Sequence, residues 1–260
     1  KAWKKYNLSF LLALGAGVIV SILSLARLII WLLEHHPIAV WAFFFGLVVA
    51  SVLYVGVQVT QWRFATILAL VLASAASYLI TIGEPITTPD NNWFLFFAGF
   101  IAIIAMILPG ISGAFILLLL GAYTNVMGIV TQLGDGIIGT NTDLQLEASL
   151  KLLIFALGAV TGLKVFSKVL NWMFTHKKNL ILAILTGFMI GALNKIWPWK
   201  KVLEYRINSS GEEIPFLEQS ILPNNFNGDP QVMNAVLFAV LGFLTIFLLE
   251  RIAVKKDSKS

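Results

Sequence analysis

The chain has 260 residues, of which 58% are hydrophobic and 12% are charged, and its formal net charge is +5. Soluble domains carry about twice that charged fraction, so the composition excludes a soluble globular protein and indicates an integral membrane protein. The sequence contains no cysteine, which excludes a disulfide framework, a thiol nucleophile and a cysteine metal site.

Six apolar segments are each predicted to be a membrane-spanning helix. In chain order they are residues 8–33, 39–59, 64–82, 150–174, 180–193 and 232–252. The one sizeable loop outside the membrane is predicted at 196–231, and Trp199 near its start is interpreted as a residue at the membrane interface. The bilayer is the expected partner, no nucleic acid, cofactor or metal is expected, and the oligomeric state is left open.

A short stretch interrupts a further apolar run, 93–130, at its centre. Pro109 has no backbone N–H and clashes with a continuous helix, and Gly110 and Gly113 weaken a helix further. Unpaired backbone inside a bilayer is tolerated only where protein or water covers it. Residues 108–112, called here the Pro-Gly break, are therefore predicted to separate two half-helices near the middle of the membrane.

The positions of the basic residues favour a re-entrant hairpin at 93–130, which returns to the side from which it enters. Two ordinary spans, or one kinked span, are the alternatives. With the hairpin, 12 of the 18 basic residues fall on the cytoplasmic side, as the positive-inside rule predicts. These residues are Lys1, Lys4, Lys5, Arg63, Lys164, Lys168, Lys177, Lys178, Arg251, Lys255, Lys256 and Lys259.

An internal repeat agrees with this topology. Residues 13–16 recur at 156–159, and four later positions in each copy also align. The aligned positions are Arg27, Trp31, His35 and Gly46 with Lys168, Trp172, His176 and Gly187. The copies would span 1–92 and 93–260 and face opposite ways, which is the inverted-topology repeat of many secondary transporters. Chance similarity between two apolar segments is the alternative.

The predicted fold is therefore an all-α polytopic membrane protein with about six full spans plus the hairpin. Symmetry also leads us to expect a second hairpin, with its own Pro-Gly break, before Lys1. Glycines spaced four residues apart, Gly158 with Gly162 and Gly187 with Gly191, predict close contacts between helices.

The sequence around the break resembles a known family. Residues 102–117, which include Leu108-Pro109-Gly110-Ile111-Ser112-Gly113, together with Gly121-Ala122-Tyr123, are similar to the signature of the bacterial polyprenyl-phosphate transporters of the PopT type, formerly a domain of unknown function. Residues 42–47 and 196–200 are also similar to that family. The resemblance implies a flippase in the bacterial cytoplasmic membrane that returns undecaprenyl phosphate for reuse in cell-wall synthesis. Family members carry an earlier Pro-Gly motif that this chain does not show.

Given that resemblance, the Pro-Gly break is a candidate phosphate site. Pro109 and Gly110 open the backbone, and the half-helix that follows would direct the N–H groups of Ser112 and Gly113 into the break. Helix N-termini bind anions through such N–H groups and through the helix dipole. A purely structural kink, with Ser112 capping its own helix, is the alternative.

Arg27, Lys168 and Lys164 are the candidate cationic partners of the phosphate. A charge inside a membrane is a functional-site hypothesis by default, although a long side chain can instead extend to the nearby interface. Glu84 is a candidate for coupling transport to a proton or sodium gradient, and a solvated loop carboxylate is the alternative.

Three other functions compete with lipid transport. The first is an integral-membrane undecaprenyl-pyrophosphate phosphatase, whose motif pairs the serine with an arginine and a glutamate-rich segment that this chain lacks. The second is a secondary transporter of a small anion, and the third is a scaffold that transports nothing. Hydrolysis needs acid–base and phosphate-stabilising groups, so a transporter is predicted and an enzyme is not.

Overall fold

The computed structural model of the protein is mostly helical and describes residues 8–84, 91–138, 142–207 and 213–257. The helices are α1 (Leu8–His35), α2 (Pro37–Val57), α3 (Phe64–Thr81), α4 (Asn92–Ile107), α5 (Gly113–Leu119), α6 (Tyr123–Ile138), α7 (Thr142–His176), α8 (Lys178–Ala192) and α9 (Val232–Asp257). The strands are β1 (Lys200–Ile207) and β2 (Glu213–Ser220), followed by a 3₁₀ turn at Pro223–Asn225.

Among the described residues, α2, α3, α7 and α9 contain segments long and apolar enough to cross a membrane. A fifth span results if α5 and α6, which are bent by 113°, are counted together. The prediction of a polytopic helical membrane protein is confirmed, but the count of about six full spans is not. The helix α8 has only 15 residues and covers about 22 Å, short of the roughly 30 Å of a bilayer's hydrocarbon core.

Two helix–helix turns have nearly the same geometry. Between α1 and α2, His36 has φ −136° and ψ 50°, and its N–H donates to the Leu32 carbonyl oxygen at 2.7 Å. Between α7 and α8, Lys177 has φ −137° and ψ 43°, and its N–H donates to the Met173 carbonyl oxygen, also at 2.7 Å.

The tryptophan and histidine that precede each turn also match. In α1 the rings of Trp31 and His35 stack with an interplanar angle of 21°, and in α7 those of Trp172 and His176 stack at 22°. Each histidine Nδ1 lies within hydrogen-bond distance of its tryptophan carbonyl oxygen, at 2.9 Å and 3.0 Å. Two aligned pairs, Trp31 with Trp172 and His35 with His176, thus occupy equivalent local structure.

Three helix pairs form the body of the protein, namely α2 with α9, α3 with α8, and α4 with α7. Glycines allow the backbones to approach closely, since a Cβ atom at Gly162 would lie 2.6 Å from the Phe100 carbonyl oxygen. A Cβ atom at Gly191 would likewise lie 2.5 Å from the Ser77 Cβ atom. The predicted packing role of these small residues is confirmed.

The contacts also give the directions of the helices. Along α4 and α7, Gly158 meets Phe96 and Gly162 meets Phe100, so the two helices run parallel. The chain between them, which contains α5 and α6, therefore returns to the end of the bundle at which α4 begins.

The connections between helices lie at two ends of the bundle, and side-chain contacts show which connections lie together. At one end, here the turn end, Asn179 Oδ1 accepts hydrogen bonds from Thr60 N at 3.0 Å and Thr60 Oγ1 at 3.2 Å. This contact brings the turn after α2 beside the turn after α7. At the opposite end, here the loop end, Asn194 Nδ2 donates to Thr81 Oγ1 at 2.9 Å and so joins the ends of α3 and α8.

The loop end is covered by the β1–β2 hairpin, which the sequence did not predict, so the expectation of an all-α chain is wrong here. The strands pair antiparallel from Lys200 with Ser220 to Ile207 with Glu213. Trp199 is not an interface residue: it is 6% exposed and packs with Ile38, Ala42 and Ala235 at the starts of α2 and α9. Its Nε1–H donates to the Pro230 carbonyl oxygen at 2.8 Å, because a buried indole needs a partner.

Candidate functional site

The Pro-Gly break lies where the sequence predicted it. The helix α4 ends at Ile107, and Leu108 is extended, with φ −73° and ψ 127°, because the residue before a proline avoids the helical region. Gly110 has φ +88°, a conformation that favours glycine. The helix α5 begins at Gly113, with Ser112 as an extended N-cap residue.

The break is fixed in place by α8. A Cβ atom at Gly110 would lie 2.5 Å from the Ala192 Cβ atom and 3.3 Å from the Phe188 carbonyl oxygen. The turn therefore fits against the last turn of α8 because Gly110 has no side chain. Gly113 is similarly close to α4, since its Cβ atom would lie 2.7 Å from the Ala102 carbonyl oxygen.

A second interruption, which the sequence analysis missed, ends α5 after seven residues. Gly121 has φ +66°; its N–H donates to the Leu118 carbonyl oxygen, and the Ala122 N–H donates to that of Leu117, both at 2.9 Å. This pair of bonds is a Schellman motif, and the packing of Leu117 against Ala122 is the hydrophobic contact that accompanies it. The chain then bends by 113° into α6.

The helices α4, α5, α6 and α7 line a half-open cavity of about 610 Å³ beside the break. Its lining is apolar apart from Ser112 and Tyr123 among the side chains described. The lining residues are Gly99, Ala102, Ile103, Met106, Ile111, Ser112, Gly113, Ala114, Leu117, Tyr123, Val126, Met127, Phe155 and Ala159. A mostly apolar cavity of this size with few polar groups is typical of a ligand site.

Ser112 stands at the polar edge of this cavity. Its side chain is exposed and makes no capping hydrogen bond to α5, so the alternative in which Ser112 caps its own helix is not observed. The Ile116 N–H instead bonds to the Ser112 carbonyl oxygen at 3.0 Å. The Ser112 hydroxyl is therefore available to a group that enters the break.

Two of the three predicted cationic partners do not line the cavity beside the break. Lys164 and Lys168 on α7 are exposed and are not among the residues that line the cavity. The described part of the chain gives neither of them an ion-pair partner. The side chain of Arg27 lies outside the described residues, although its backbone belongs to α1.

The structure instead brings one lysine that the sequence analysis missed close to α5, with a second lysine beside it. The Nζ atom of Lys195 lies 4.8 Å from the centre of the Phe115 ring, within the range of a cation–π contact. The same Nζ atom is 3.7 Å from Glu218 Oε2, and Lys200 Nζ is 3.4 Å from that same oxygen. Lys195, Lys200 and Glu218 are called here the lysine cluster.

The lysine cluster is only partly open to solvent. The Lys200 side chain is 8% exposed and the Lys195 side chain 34%. Lys200 Nζ also lies 3.5 Å from the centre of the Trp41 ring in α2. Burial lowers the pKa of Lys200, with Glu218 acting in the opposite direction and Lys195 in the same direction. The sequence contains a signal for this cluster, because Lys195 and Lys200 follow a helix that is too short to cross the membrane.

Glu84 is exposed just beyond the end of α3. A Cβ atom on the preceding residue, Gly83, would lie 3.4 Å from the Leu119 Cδ2 atom, so Glu84 follows a turn that packs against α5. Within the described residues, no group of three or more His, Cys, Asp or Glu side chains is placed to hold a metal ion.

A sequence profile for the VCA0040-like family, described as undecaprenyl phosphate translocase-like, matches residues 1–214. A polyprenyl-phosphate transporter of Vibrio cholerae is 41% identical over 235 residues, which cover 87% of this chain and 72% of the relative. A polyprenyl-phosphate transporter of Staphylococcus aureus is 29% identical over 205 residues, which cover 74% of this chain and 69% of the relative.

No solved structure matches the chain significantly. The profile match extends over most of the chain and includes the Pro-Gly break, α4 to α8 and the start of the loop-end hairpin. This chain therefore belongs to the undecaprenyl phosphate translocase-like family.

Proposed function

We propose that this protein is a polyprenyl-phosphate transporter that carries undecaprenyl phosphate across the bacterial cytoplasmic membrane, where the lipid is reused as a carrier in cell-wall synthesis. The names of both relatives support the substrate class. The observation that carries the proposal is the apolar cavity of about 610 Å³ that meets the break at Ser112.

The cavity and the break match the two parts of such a lipid. A polyprenyl phosphate has an apolar isoprenoid tail and a dianionic headgroup. The apolar walls from Ala102, Met106 and Phe155 suit the tail, and the exposed Ser112 hydroxyl with the open backbone at Gly110 suits the phosphate. Pro109 and Gly113 shape the break. Because α5 is short, the N–H groups at its N-terminus are only some of the hydrogen-bond donors that we propose for the phosphate.

An inverted repeat supports transport by alternating access. The repeat pairs α1 with α7, α2 with α8 and α3 with α9. The two matched turns, with φ values of −136° and −137°, support the first two equivalences. The helix pairs also fit this symmetry. The helix α2 packs on α9, and their counterparts in the other copy, α8 and α3, pack on each other in the same way.

The same geometry supports a re-entrant hairpin. Because α4 and α7 run parallel, the segment from α4 to α6 enters the bundle and returns to the loop end. Arg63, Lys177 and Lys178 then belong to the turn end, which we place in the cytoplasm according to the positive-inside rule.

The cationic partners inferred from the sequence stay predictions. Arg27 and Lys168 would receive the phosphate on opposite sides as access alternates, with Lys164 one turn away from Lys168. Substitution of Arg27 and Lys168 by alanine should each weaken binding of a polyprenyl phosphate to the reconstituted protein. Unchanged affinity in both variants would remove these side chains from the site.

Net movement of the lipid against its gradient requires energy, so we propose coupling to a proton or sodium gradient. Glu84 is the candidate carboxylate because it lies at the loop end beside the turn that contacts α5. A Glu84→Gln variant that transports only down the lipid gradient would support this role, and full gradient-driven transport by the variant would oppose it.

A leaflet-resolved flipping assay tests the proposed function. Purified protein in liposomes should move a labelled polyprenyl phosphate between leaflets, and Ser112→Ala should slow that movement. The competing phosphatase would instead release phosphate from undecaprenyl pyrophosphate and lose that activity in Ser112→Ala. The apolar lining of the cavity favours transport over hydrolysis.

A further inference from the structure

We propose that Lys195 and Lys200, joined through Glu218, form a phosphate-recognition site beside the first turn of α5 that takes the dianionic headgroup of a phosphate monoester. This inference rests on the proposed function and deepens it, because it names residues that the sequence did not assign to substrate binding.

The position of Lys195 is the first observation. Lys195 follows the last turn of α8, and Gly110 packs against Ala192 in that same turn. Its Nζ atom lies 4.8 Å from the ring of Phe115, which is three residues after Ser112. One contact thus places the Lys195 ammonium group beside Phe115, and the other places the end of α8, which precedes Lys195, against the Pro-Gly break.

The charge of the cluster is the second observation. Two ammonium groups share a single carboxylate oxygen, Glu218 Oε2, at 3.4 Å and 3.7 Å. Both distances are longer than the roughly 2.7–2.9 Å of a strong charge-assisted hydrogen bond. A well-placed anion could approach the ammonium groups more closely than Glu218 does. The cluster keeps one excess positive charge, and Glu218 occupies the position that an incoming anion would compete for.

The support around the cluster is the third observation. Asn194 is fixed by its donation to Thr81 at 2.9 Å and by the Ser220 hydroxyl, which donates to its carbonyl oxygen at 2.8 Å. Lys200 is held against the Trp41 ring at 3.5 Å. The Lys200 ammonium group and the backbone beside Lys195 are therefore positioned before a ligand arrives, so binding has to order only the Lys195 side chain.

In the proposed site, the phosphate replaces Glu218 as the partner of Lys195. Lys195 is the more exposed of the two lysines and can turn from Glu218 toward the break. Lys200 stays near Glu218 and supplies a fixed positive charge. Recognition thus requires a dianionic headgroup that outcompetes a carboxylate.

Binding measurements on the full chain in lipid nanodiscs test this site. The probes are farnesyl phosphate, inorganic phosphate and farnesol, which separate a lipid headgroup, a free phosphate and a tail without a phosphate. Lys195→Gln should weaken farnesyl phosphate binding by about ten-fold or more, as expected for loss of a charge-assisted contact. The control is Lys201→Gln, because Lys201 is an exposed neighbour in β1, and it should bind like the unmodified protein.

Glu218→Gln distinguishes a recognition site from a structural ion pair. A recognition site predicts opposite effects, with weaker binding in Lys195→Gln and equal or tighter binding in Glu218→Gln, because the competing carboxylate is gone. A structural role predicts that both variants bind less and unfold at lower temperature. That second pattern, or normal binding in Lys195→Gln, would overturn the proposal.

The proposed function can fail separately. If the unmodified protein binds inorganic phosphate through Lys195 but neither binds farnesyl phosphate more tightly nor flips a polyprenyl phosphate, the anion site stands and lipid transport does not. If flipping is intact in Lys195→Gln and binding is unchanged, lipid transport stands and the anion site does not.

Discussion

Gly110 in the Pro-Gly break and Ala192 in α8 pack so closely that no side chain fits between them. A Cβ atom at Gly110 would lie 2.5 Å from the Ala192 Cβ atom, and Gly110 has φ +88°. The break is thus a turn packed tightly against α8. Its shape depends on the positive φ of Gly110 and on the absence of a side chain there.

Gly110→Ala is expected to destabilise the protein and slow lipid flipping. The left-handed conformation alone costs about 1–2 kcal/mol for a residue with a side chain, and contact with Ala192 adds to that cost. Thermal unfolding in detergent and the flipping assay measure both effects. Gly128→Ala is the control, because a Cβ atom at Gly128 in α6 meets nothing within 4 Å; equal melting temperatures for the two variants would contradict this account.

Gly162→Ala is expected to separate α4 from α7 and to reshape the cavity that they line. The new Cβ atom would lie 2.6 Å from the Phe100 carbonyl oxygen, and overpacking of this kind typically costs about 1–3 kcal/mol. Denaturant unfolding measures the loss. Gly17→Ala in α1 serves as the comparison, since nothing lies within 4 Å of its Cβ position, and a larger loss there would refute the prediction.

Ala114→Phe is expected to obstruct the apolar cavity while leaving the headgroup contacts in place. Ala114 is exposed and lines the cavity, so the larger side chain has room without disturbing the core. Binding of a long-chain polyprenyl phosphate should weaken more than binding of inorganic phosphate. Ala156→Phe tests the specificity, because Ala156 is exposed on α7 and does not line the cavity. Equal effects of the two variants would show that the tail does not use this cavity.

Lys200 predicts opposite pH dependences for stability and for anion binding. Burial lowers the pKa of Lys200, Glu218 raises it and Lys195 lowers it. Since the folded state holds this proton less tightly than the unfolded chain does, stability contributed by Lys200 increases as pH rises through the folded-state pKa toward the unfolded value of about 10.4. Phosphate binding should fall over the same interval, because the ammonium group is lost.

Melting temperatures between pH 7 and pH 10, with and without farnesyl phosphate, measure both trends. In Lys200→Arg the guanidinium stays protonated, so this part of each trend should disappear. Identical pH profiles for the unmodified protein and Lys200→Arg would exclude Lys200 as their source.

Local sequence signals predicted the parts of the fold that depend on single residues. Pro109 lacks an N–H and Gly110 takes a positive φ, so these two residue types alone predict a break in an otherwise apolar segment. The small residues Gly162 and Gly191 likewise predicted close helix contacts, because in lipid the tightest packing occurs where side chains are smallest. Trp31 and Trp172 marked equivalent turns.

Other features depend on contacts that are distant in the sequence. The end of α5 at Gly121 was missed because a lone glycine in an apolar run is compatible with a continuous helix, and only the bend into α6 distinguishes the two. The β1–β2 hairpin was missed because neither strand alternates strictly between apolar and polar residues. Lys195 was missed because its place beside Phe115 follows from the contact between the last turn of α8 and the Pro-Gly break.

The pairing of α2 with α9 has a consequence for the synthesis of the protein. The helix α2 packs on α9, and more than half of the chain separates them. Since a ribosome releases residues in order at about 5–20 per second, α2 enters the bilayer well before its partner exists. The surface around Gly46, which a carbonyl oxygen of α9 later covers, must meanwhile face lipid. The packing of α2 is therefore completed only after α9 has been made.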